Sequence, residues 1–271
     1  MAEGTGLMNM PPHKLPKKTA VISGGGGGLG TALSDKLQAD GWRVVLLDLN
    51  VEHLSHSATQ LPIKCDITDP RALKDCCTKI LACHESIDLV IYGAGVTAIA
   101  PVEALQDQAH RRLFDINYFA AAAMAQAFLS ALRASKGTHL ALTSVAGFAP
   151  LRHRASYAAS KHAMTGFFAT LRVEEAAFGV KTVIAAPAFV ATNVGNPDAD
   201  RDGLTRPGAA QDAVDVVTPE EAANIILRGL KRGKLDIFVG RVAKLSDVMM
   251  RLSPRLYDWV MARAIRTENQ T

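Results

Sequence analysis

The sequence predicts an α/β chain: one doubly wound, parallel sheet of about seven strands with helices on both faces. Two observations carry that expectation. Strand-length apolar runs alternate with helical patterns from residue 19 to residue 239. Residues able to bind or react with a ligand also recur where those strands end, the place at which open α/β sheets bind ligands.

The bulk properties set the frame. A chain of 271 residues can bury one large core. It is 48% hydrophobic and 21% charged, ordinary for a globular protein. A net charge of +4, with no basic stripe interleaved with aromatics, gives no case for nucleic acid. Residues 1–17 are rich in Gly, Pro and Met and lack a signal peptide's apolar centre, so a disordered lead-in is expected. No uncharged apolar run reaches the ~18 residues of a spanning helix. Cys76, Cys77, Cys83 and His84 are close together, but Cys76 and Cys77 point apart on a helix and no second cluster completes a tetrahedral site. Reduced, mostly buried thiols, a cytoplasmic location and no metal are expected.

The first strand, 19–23, runs into the glycines Gly24, Gly25, Gly26, Gly27, Gly28 and, after Leu29, Gly30, and then into a helical pattern over 31–40 that Gly41 closes. A strand, a glycine turn and a helix in that order make a dinucleotide site. Glycine lets the backbone approach the pyrophosphate, and the helix N-terminus offers amides and a positive dipole end. The second strand, 42–48, ends in Asp48, near the ~20-residue offset of a ribose-binding carboxylate. A third strand over 61–66 leads to Asp69, the expected N-cap of a helix over 70–83 with Pro70 at its first position. A fourth strand over 87–92 ends in Gly93, Ala94 and Gly95. One long alanine-rich helix over 109–135 carries Asn117. The fifth strand, 139–144, ends in Ser144, and a helix over 155–178 carries Tyr157 and Lys161. A sixth strand spans 180–185; the polar loop from 187 to 217 is too long for a plain connection and reads as a lid. A helix over 219–231 and a seventh strand over 235–239 complete the domain, 18–240.

Tyr157 and Lys161, at i and i+4, share one helical face. A phenol titrates near pH 10, and a neighbouring ammonium lowers that value toward the range useful for proton transfer. A serine at the preceding strand's end can bracket a small polar group from the other side. His162 points elsewhere on the helix.

The chain resembles the single-domain short-chain dehydrogenase/reductases over about residues 18–240. Ser23, Gly24, Gly28 and Gly30 match the family's Thr-Gly-x-x-x-Gly-x-Gly turn, with Ser for Thr. Ser144, Tyr157 and Lys161 match its catalytic residues at their usual spacing, and Asn117 the asparagine of its tetrad. Asp66 and Ile67 look like its adenine-contacting pair. Pro187, Ala188 and Thr192, with Val190 between, look like its Pro-Gly-x-x-x-Thr segment. Gly93 departs from the pattern, because it stands where the family has the asparagine of Asn-Ala-Gly, a brace on the central strand. The resemblance implies a Rossmann-like fold and a nicotinamide cofactor held by Ser23, Gly24, Gly28, Leu29, Gly30, Asp48, Asp66, Ile67, Gly93, Ala94, Gly95, Tyr157, Lys161, Pro187, Val190 and Thr192. It implies hydride transfer between a secondary alcohol and a ketone, with Tyr157 moving the proton, and Asn117 holding a water that links Lys161 to solvent. It also implies a dimer or tetramer joined through the helices around Asn117 and Tyr157. Asp48, with no Arg or Lys beside it, favours NAD over NADP. A member of the fold that binds nucleotide without turnover is the alternative, and the complete Ser/Asn/Tyr/Lys set speaks against it.

The expected pocket walls are Val96, Thr97 and Ile99, residues 145–151 and residues 189–193. They are mostly apolar and favour a hydrophobic substrate, while Arg152, His153 and Arg154 read as a solvated loop. Beyond residue 240, Leu245, Val248, Met249 and Leu252 form one helical stripe, and Leu256, Tyr257, Val260, Met261 and Ala264 a second, with Ser253 and Pro254 between. This basic extension, 241–271, is expected to dock over the substrate cleft or a subunit interface rather than on an anionic membrane surface.

Overall fold

In the computed structural model, residues 18–193, 204–205, 208 and 215–268 are described. The lead-in at 1–17 and most of the polar loop between 194 and 214 lie outside them. Seven strands form the central sheet: β1 (Thr19–Ser23), β2 (Arg43–Asp48), β3 (Gln60–Lys64), β4 (Leu89–Tyr92), β5 (Thr138–Leu142), β6 (Lys181–Pro187) and β7 (Asp236–Val239). Their order is β7-β6-β5-β4-β1-β2-β3, and every pairing is parallel. The winding reverses between β1 and β4, which opens a crevice at their carboxyl ends.

Both faces of the sheet are covered, so the strands read as nearly unbroken apolar runs. On one face α1 (Gly28–Ala39) and α6 (Pro219–Lys231) bury Leu33, Leu37, Ala222 and Ile226 against Ile22, Leu46 and Ile91. On the other, α2 (Pro70–Cys83), α4 (Ala120–Ser135) and α5 (Ala155–Glu175) bury Leu73, Phe128, Met164 and Phe168 against Val21, Val90 and Ala141. The Asp69 carboxylate caps α2 by accepting N–H bonds from Arg71 and Ala72, and the Thr218 hydroxyl caps α6 by accepting from Glu221. Cys65, Cys76 and Cys77 are buried on the α2 side and Cys83 is exposed. Burial pushes the Cys77 thiol up to about 12, so it stays protonated.

The structure changes one helix. The long helix read over 109–135 is α3 (Asp107–Phe114), a π-helical turn (Asp115–Phe119) and α4. Asn117 lies in that wider turn, the kind of local irregularity that recurs at functional sites. The alanine-rich pattern does not mark it, since every residue in the turn is compatible with an α-helix.

The tail forms α7 (Arg241–Leu252) and α8 (Pro254–Glu268). Ala243 and Tyr257 are buried with Val145 and Ala149, and Phe148, Phe238, Met249, Met250 and Met261 pack around them. The Tyr257 hydroxyl donates to the Pro150 carbonyl at 3.3 Å. The stripe read from the sequence is not the docked one: Leu245, Val248 and Leu252 face outward and only Met249 of that set packs inward. Small Ala243 and Ser246 let α7 sit close to the body, so the contact face lies off the most apolar side.

Candidate active site

At the end of β1 the chain turns through Gly24, whose φ of +70° suits glycine. A Cβ on Gly30 would stand 2.2 Å from the Gly24 carbonyl oxygen, so the turn folds directly onto the start of α1. No side chain caps α1, which leaves its N-terminus to an anionic ligand. Asp48 closes the rim: its carboxylate accepts the Gly26 N–H at 2.9 Å and the Asn50 N–H at 3.2 Å. His53 Nε2 lies 3.1 Å from the Gly26 carbonyl. Thr192 rests on the other side of the turn, 3.3 Å from where a Cβ on Gly28 would be. This cradle of close backbone and a carboxylate at β2 fits a nicotinamide dinucleotide, whose pyrophosphate the glycines would hold and whose ribose Asp48 would face. Leu29 lies in the first turn of α1, and Asp66 and Ile67 just beyond β3, where Asp66 accepts both the amide and hydroxyl hydrogens of Thr68. Pro187 ends β6, and Val190 belongs to a short parallel pair of Phe189–Val190 with Val216–Val217.

Gly93 has a local reason. A Cβ there would meet the Ser23 carbonyl oxygen at 2.9 Å and Leu142 Cδ1 at 3.1 Å, so the space for an asparagine is filled. The bracing comes from two other side chains. Ser23 Oγ accepts the Gly93 and Ala94 amides at 3.2 and 3.4 Å. Asn117 pairs with both backbone groups of Val96, accepting its N–H at 2.8 Å and donating to its carbonyl at 3.0 Å. Its amide also donates to Ser160 Oγ at 3.0 Å. The fully buried Asn117 side chain is thus spent on holding the β4 exit and α5 together.

Ser144 lies just past β5, where its hydroxyl accepts the Ala146 N–H at 3.2 Å and starts a single 3₁₀ turn. Tyr157 and Lys161 rise from the first turns of α5, and all three side chains are buried. Ser144 lies close enough to the Tyr157 phenol to lower its pKa. Lys161 Nζ stands 5.9 Å from the centre of the Tyr157 ring and donates to the Leu142 carbonyl at 2.9 Å. Gly95 faces the same spot, its Cβ position 3.4 Å from Asn117 Oδ1 and 3.5 Å from Lys161 Nζ. The Tyr157 pKa is raised, not lowered as its spacing to Lys161 predicts: burial outweighs the downward pull of Ser144 and of the Arg154 charge. Burial lowers Lys161 to about 8, so it remains mainly an ammonium at neutral pH.

Arg154 is a residue that the sequence assigns to a solvated loop, yet it sits close enough to bias the tyrosine. Its position follows from a fold-back: the Ala100 amide donates to the His153 carbonyl at 2.8 Å, and His153 takes a left-handed φ of +55°. Ser156, next to Tyr157, is held by His110 of α3. Nothing in the sequence spacing couples 110 to 156. Thr97–Ala98 pairs antiparallel with Leu204–Thr205. Leu204, Ala98, Leu113, Ala146 and Tyr157 form one apolar cluster, with Val96 and Leu151 at its edge.

A model of the short chain dehydrogenase family matches residues 18–202. The chain belongs to that family. A curated relative from Drosophila melanogaster, a dehydrogenase/reductase SDR family protein 7-like, is 29% identical over 95% of this chain and 83% of its own length. The dehydrogenase/reductase SDR family member 7B of Bos taurus is 28% identical over 93% and 82%. Among solved structures, a short chain dehydrogenase from Burkholderia cenocepacia in complex with NADP superposes with a TM-score of 0.78 at 23% identity, covering 90% of this chain and 96% of that one. One from Burkholderia phymatum in complex with NAD gives 0.74 at 20% identity, covering 88% and 93%. The seven-stranded doubly wound fold is therefore that of the family's oxidoreductases.

Proposed function

We propose that this chain is an NAD-dependent dehydrogenase/reductase that interconverts a hydrophobic secondary alcohol and its ketone. The observation that carries the reading is the meeting of buried Ser144, Tyr157 and Lys161 at the carboxyl end of β5, beside the crevice. When bound, the nicotinamide supplies or accepts the hydride. Tyr157 gives its phenolic proton to the substrate oxygen in reduction and takes it back in oxidation. Ser144 hydrogen-bonds the same oxygen as charge builds on it. Lys161 places a buried positive charge near the Tyr157 ring and would hold the nicotinamide ribose. Asn117 fixes Val96 and Ser160, which sets the spacing between the β4 exit and the catalytic helix.

The hydrophobic substrate rests on the cluster of Leu204, Ala98, Leu113 and Ala146 around Tyr157. NAD rests on Asp48, which ends β2 beside the glycine turn and would repel a 2′-phosphate there. Exposed Phe119, Val173 and Phe178, on the segments around α4 and α5, suit a homodimer or homotetramer. A screen of secondary alcohols and ketones, followed by nicotinamide absorbance with NAD and NADP in parallel, tests the reading. Turnover of apolar substrates with higher kcat/KM on NAD is expected. No turnover with any alcohol or ketone would remove the activity, and equal or better kcat/KM on NADP would remove the cofactor choice.

A further inference from the structure

Helices α7 and α8 each carry two apolar faces, and the body of the protein uses one of them. The inner face holds Ala243, Met249, Met250, Tyr257 and Met261. The outer face is left bare: Leu245 is 61% exposed, Leu252 81% and Trp259 59%, with Val248, Leu256 and Val260 exposed beside them. Leu245, Val248 and Leu252 follow an i, i+3, i+7 spacing on α7, and Leu256, Trp259 and Val260 an i, i+3, i+4 spacing on α8, so each set is a stripe and not a scatter. Solitary exposed apolar residues are ordinary on a protein surface, whereas six on consecutive helices call for an occupant.

The charges around the stripes indicate which. Arg241, Lys244, Arg251, Arg255 and Arg263 stand exposed on the same two helices, against Asp247 and Asp258. Asp247 is tied to Arg251 at 2.8 Å. The Arg263 guanidinium lies 5.6 Å from the centre of the Trp259 ring, an aromatic–cation pair suited to the boundary between headgroups and acyl chains. A second copy docking through this face about a two-fold axis would bring one set of cations against the same set. An anionic lipid surface meets both needs at once, since it takes up the apolar stripes and neutralises the arginines.

We propose that the outer faces of α7 and α8 lie on an anionic membrane surface and anchor the protein there peripherally. No helix among the described residues is long and apolar enough to cross a membrane, so the contact is one-sided. The anchor is joined to the site: Tyr257 bonds Pro150, and Val145 and Ala149 pack under the same helices, in the segment that follows Ser144.

The test is flotation of the full-length protein with vesicles of phosphatidylcholine alone or phosphatidylcholine mixed with phosphatidylglycerol. The chain has two tryptophans, Trp42 and Trp259. A Trp42→Phe background therefore makes Trp259 the sole reporter. The expected result is flotation with phosphatidylglycerol vesicles only, release by raised salt, and a blue shift of Trp259 emission on binding. Leu252→Glu/Leu256→Glu should abolish flotation with thermal stability and turnover in solution unchanged. Lys244→Glu/Arg255→Glu provides the same test without touching the apolar stripe, should the first variant fold poorly. Absence of flotation, or flotation indifferent to phosphatidylglycerol and salt, overturns the proposal. So does a fall in oligomeric state of either variant by light scattering, which would assign the face to a second copy.

Discussion

Around the glycine turn the crevice is made of backbone; around Ser144 and Tyr157 it is made of side chains. On the first side, positions are set by how closely main chains approach: Gly30 against Gly24, Gly93 against Ser23, and the Asp48 carboxylate holding a backbone amide. On the second side, the fold supplies only the sheet edge and the start of α5. Geometry there comes from Asn117 clamping Val96, His110 holding Ser156, and Lys161 anchored to the Leu142 carbonyl. Backbone cradles suit a ligand common to many proteins, since they read phosphate and ribose. Side-chain constellations suit a reaction, since they place a titratable group against one bond. The difference teaches that a substitution should act as a packing fault on one side and as a chemical fault on the other.

The largest effect should therefore come from a change that leaves packing intact on the chemical side. Tyr157→Phe removes one oxygen from a buried ring. Loss of the proton relay should lower kcat by ~10²–10⁴-fold, with nucleotide affinity and thermal stability close to those of the parent. Near-normal turnover in the folded variant would show that the phenol is not the acid–base group.

The next effect lies under the catalytic side. His139 of β5 is fully buried, with Nδ1 2.6 Å from the Tyr92 hydroxyl and Nε2 without a partner among the described residues. Burial holds its pKa at about 4, opposed by the charge of Glu175, against an ordinary value of 6.5. The folded state thus binds this proton less readily than the unfolded chain. The stability it contributes is complete above pH 6.5 and is lost as pH falls toward 4. The full loss is about 3 kcal/mol. Denaturant midpoints measured between pH 7.5 and 4.5 should fall, and His139→Asn should flatten that fall; equal slopes in both proteins would exclude His139 as the cause.

These two sides were not equally legible in the sequence. The backbone side announced itself, because a glycine turn between a strand and a helix, with an acid ending the next strand, is a pattern in the order of residues. The strand ends also placed Ser144, Tyr157 and Lys161 near one crevice, since a parallel sheet brings all carboxyl ends to one edge. What stayed hidden depends on contacts between segments far apart. The π turn at Asn117 has no composition of its own. Arg154 reads as loop until the fold-back through Ala100 and His153 brings it toward Tyr157. The tail's apolar stripe was legible as a stripe, but which face docks was decided by the small residues Ala243 and Ser246, which a hydrophobicity pattern undervalues.

Gly93 gives the contrast on the backbone side. Gly93→Asn restores the residue usual in the family, yet here its Cβ meets the Ser23 carbonyl oxygen, a backbone atom that cannot swing away. Overpacking of this kind costs about 1–3 kcal/mol. Thermal melting should drop by several degrees and nucleotide affinity should weaken, because Ser23 also receives the Gly93 and Ala94 amides. An unchanged melting temperature would mean that Leu142 and the strand end yield more easily than this packing implies.

The smallest effect tests whether the tail belongs to the side-chain half. Gly240, at the N-terminus of α7, has no side chain to cap it. The cap comes from Asp215, whose carboxylate accepts N–H bonds from Arg241 and, at 3.1 Å, from Val242. Asp215 itself holds a left-handed φ of +61°, a conformation aspartate tolerates better than most residues. Loss of an N-cap acceptor costs about 0.5–2 kcal/mol. Asp215→Ala removes the acceptor and adds strain, whereas Asp215→Asn keeps both an acceptor oxygen and the tolerance for that φ. The alanine variant should show faster amide exchange in α7, and the asparagine variant should stay near the parent. If the catalytic segment around Ser144 exchanges faster along with α7 in the alanine variant, the tail is a working wall of the site. If α7 alone loosens, it is an appendage resting against that segment.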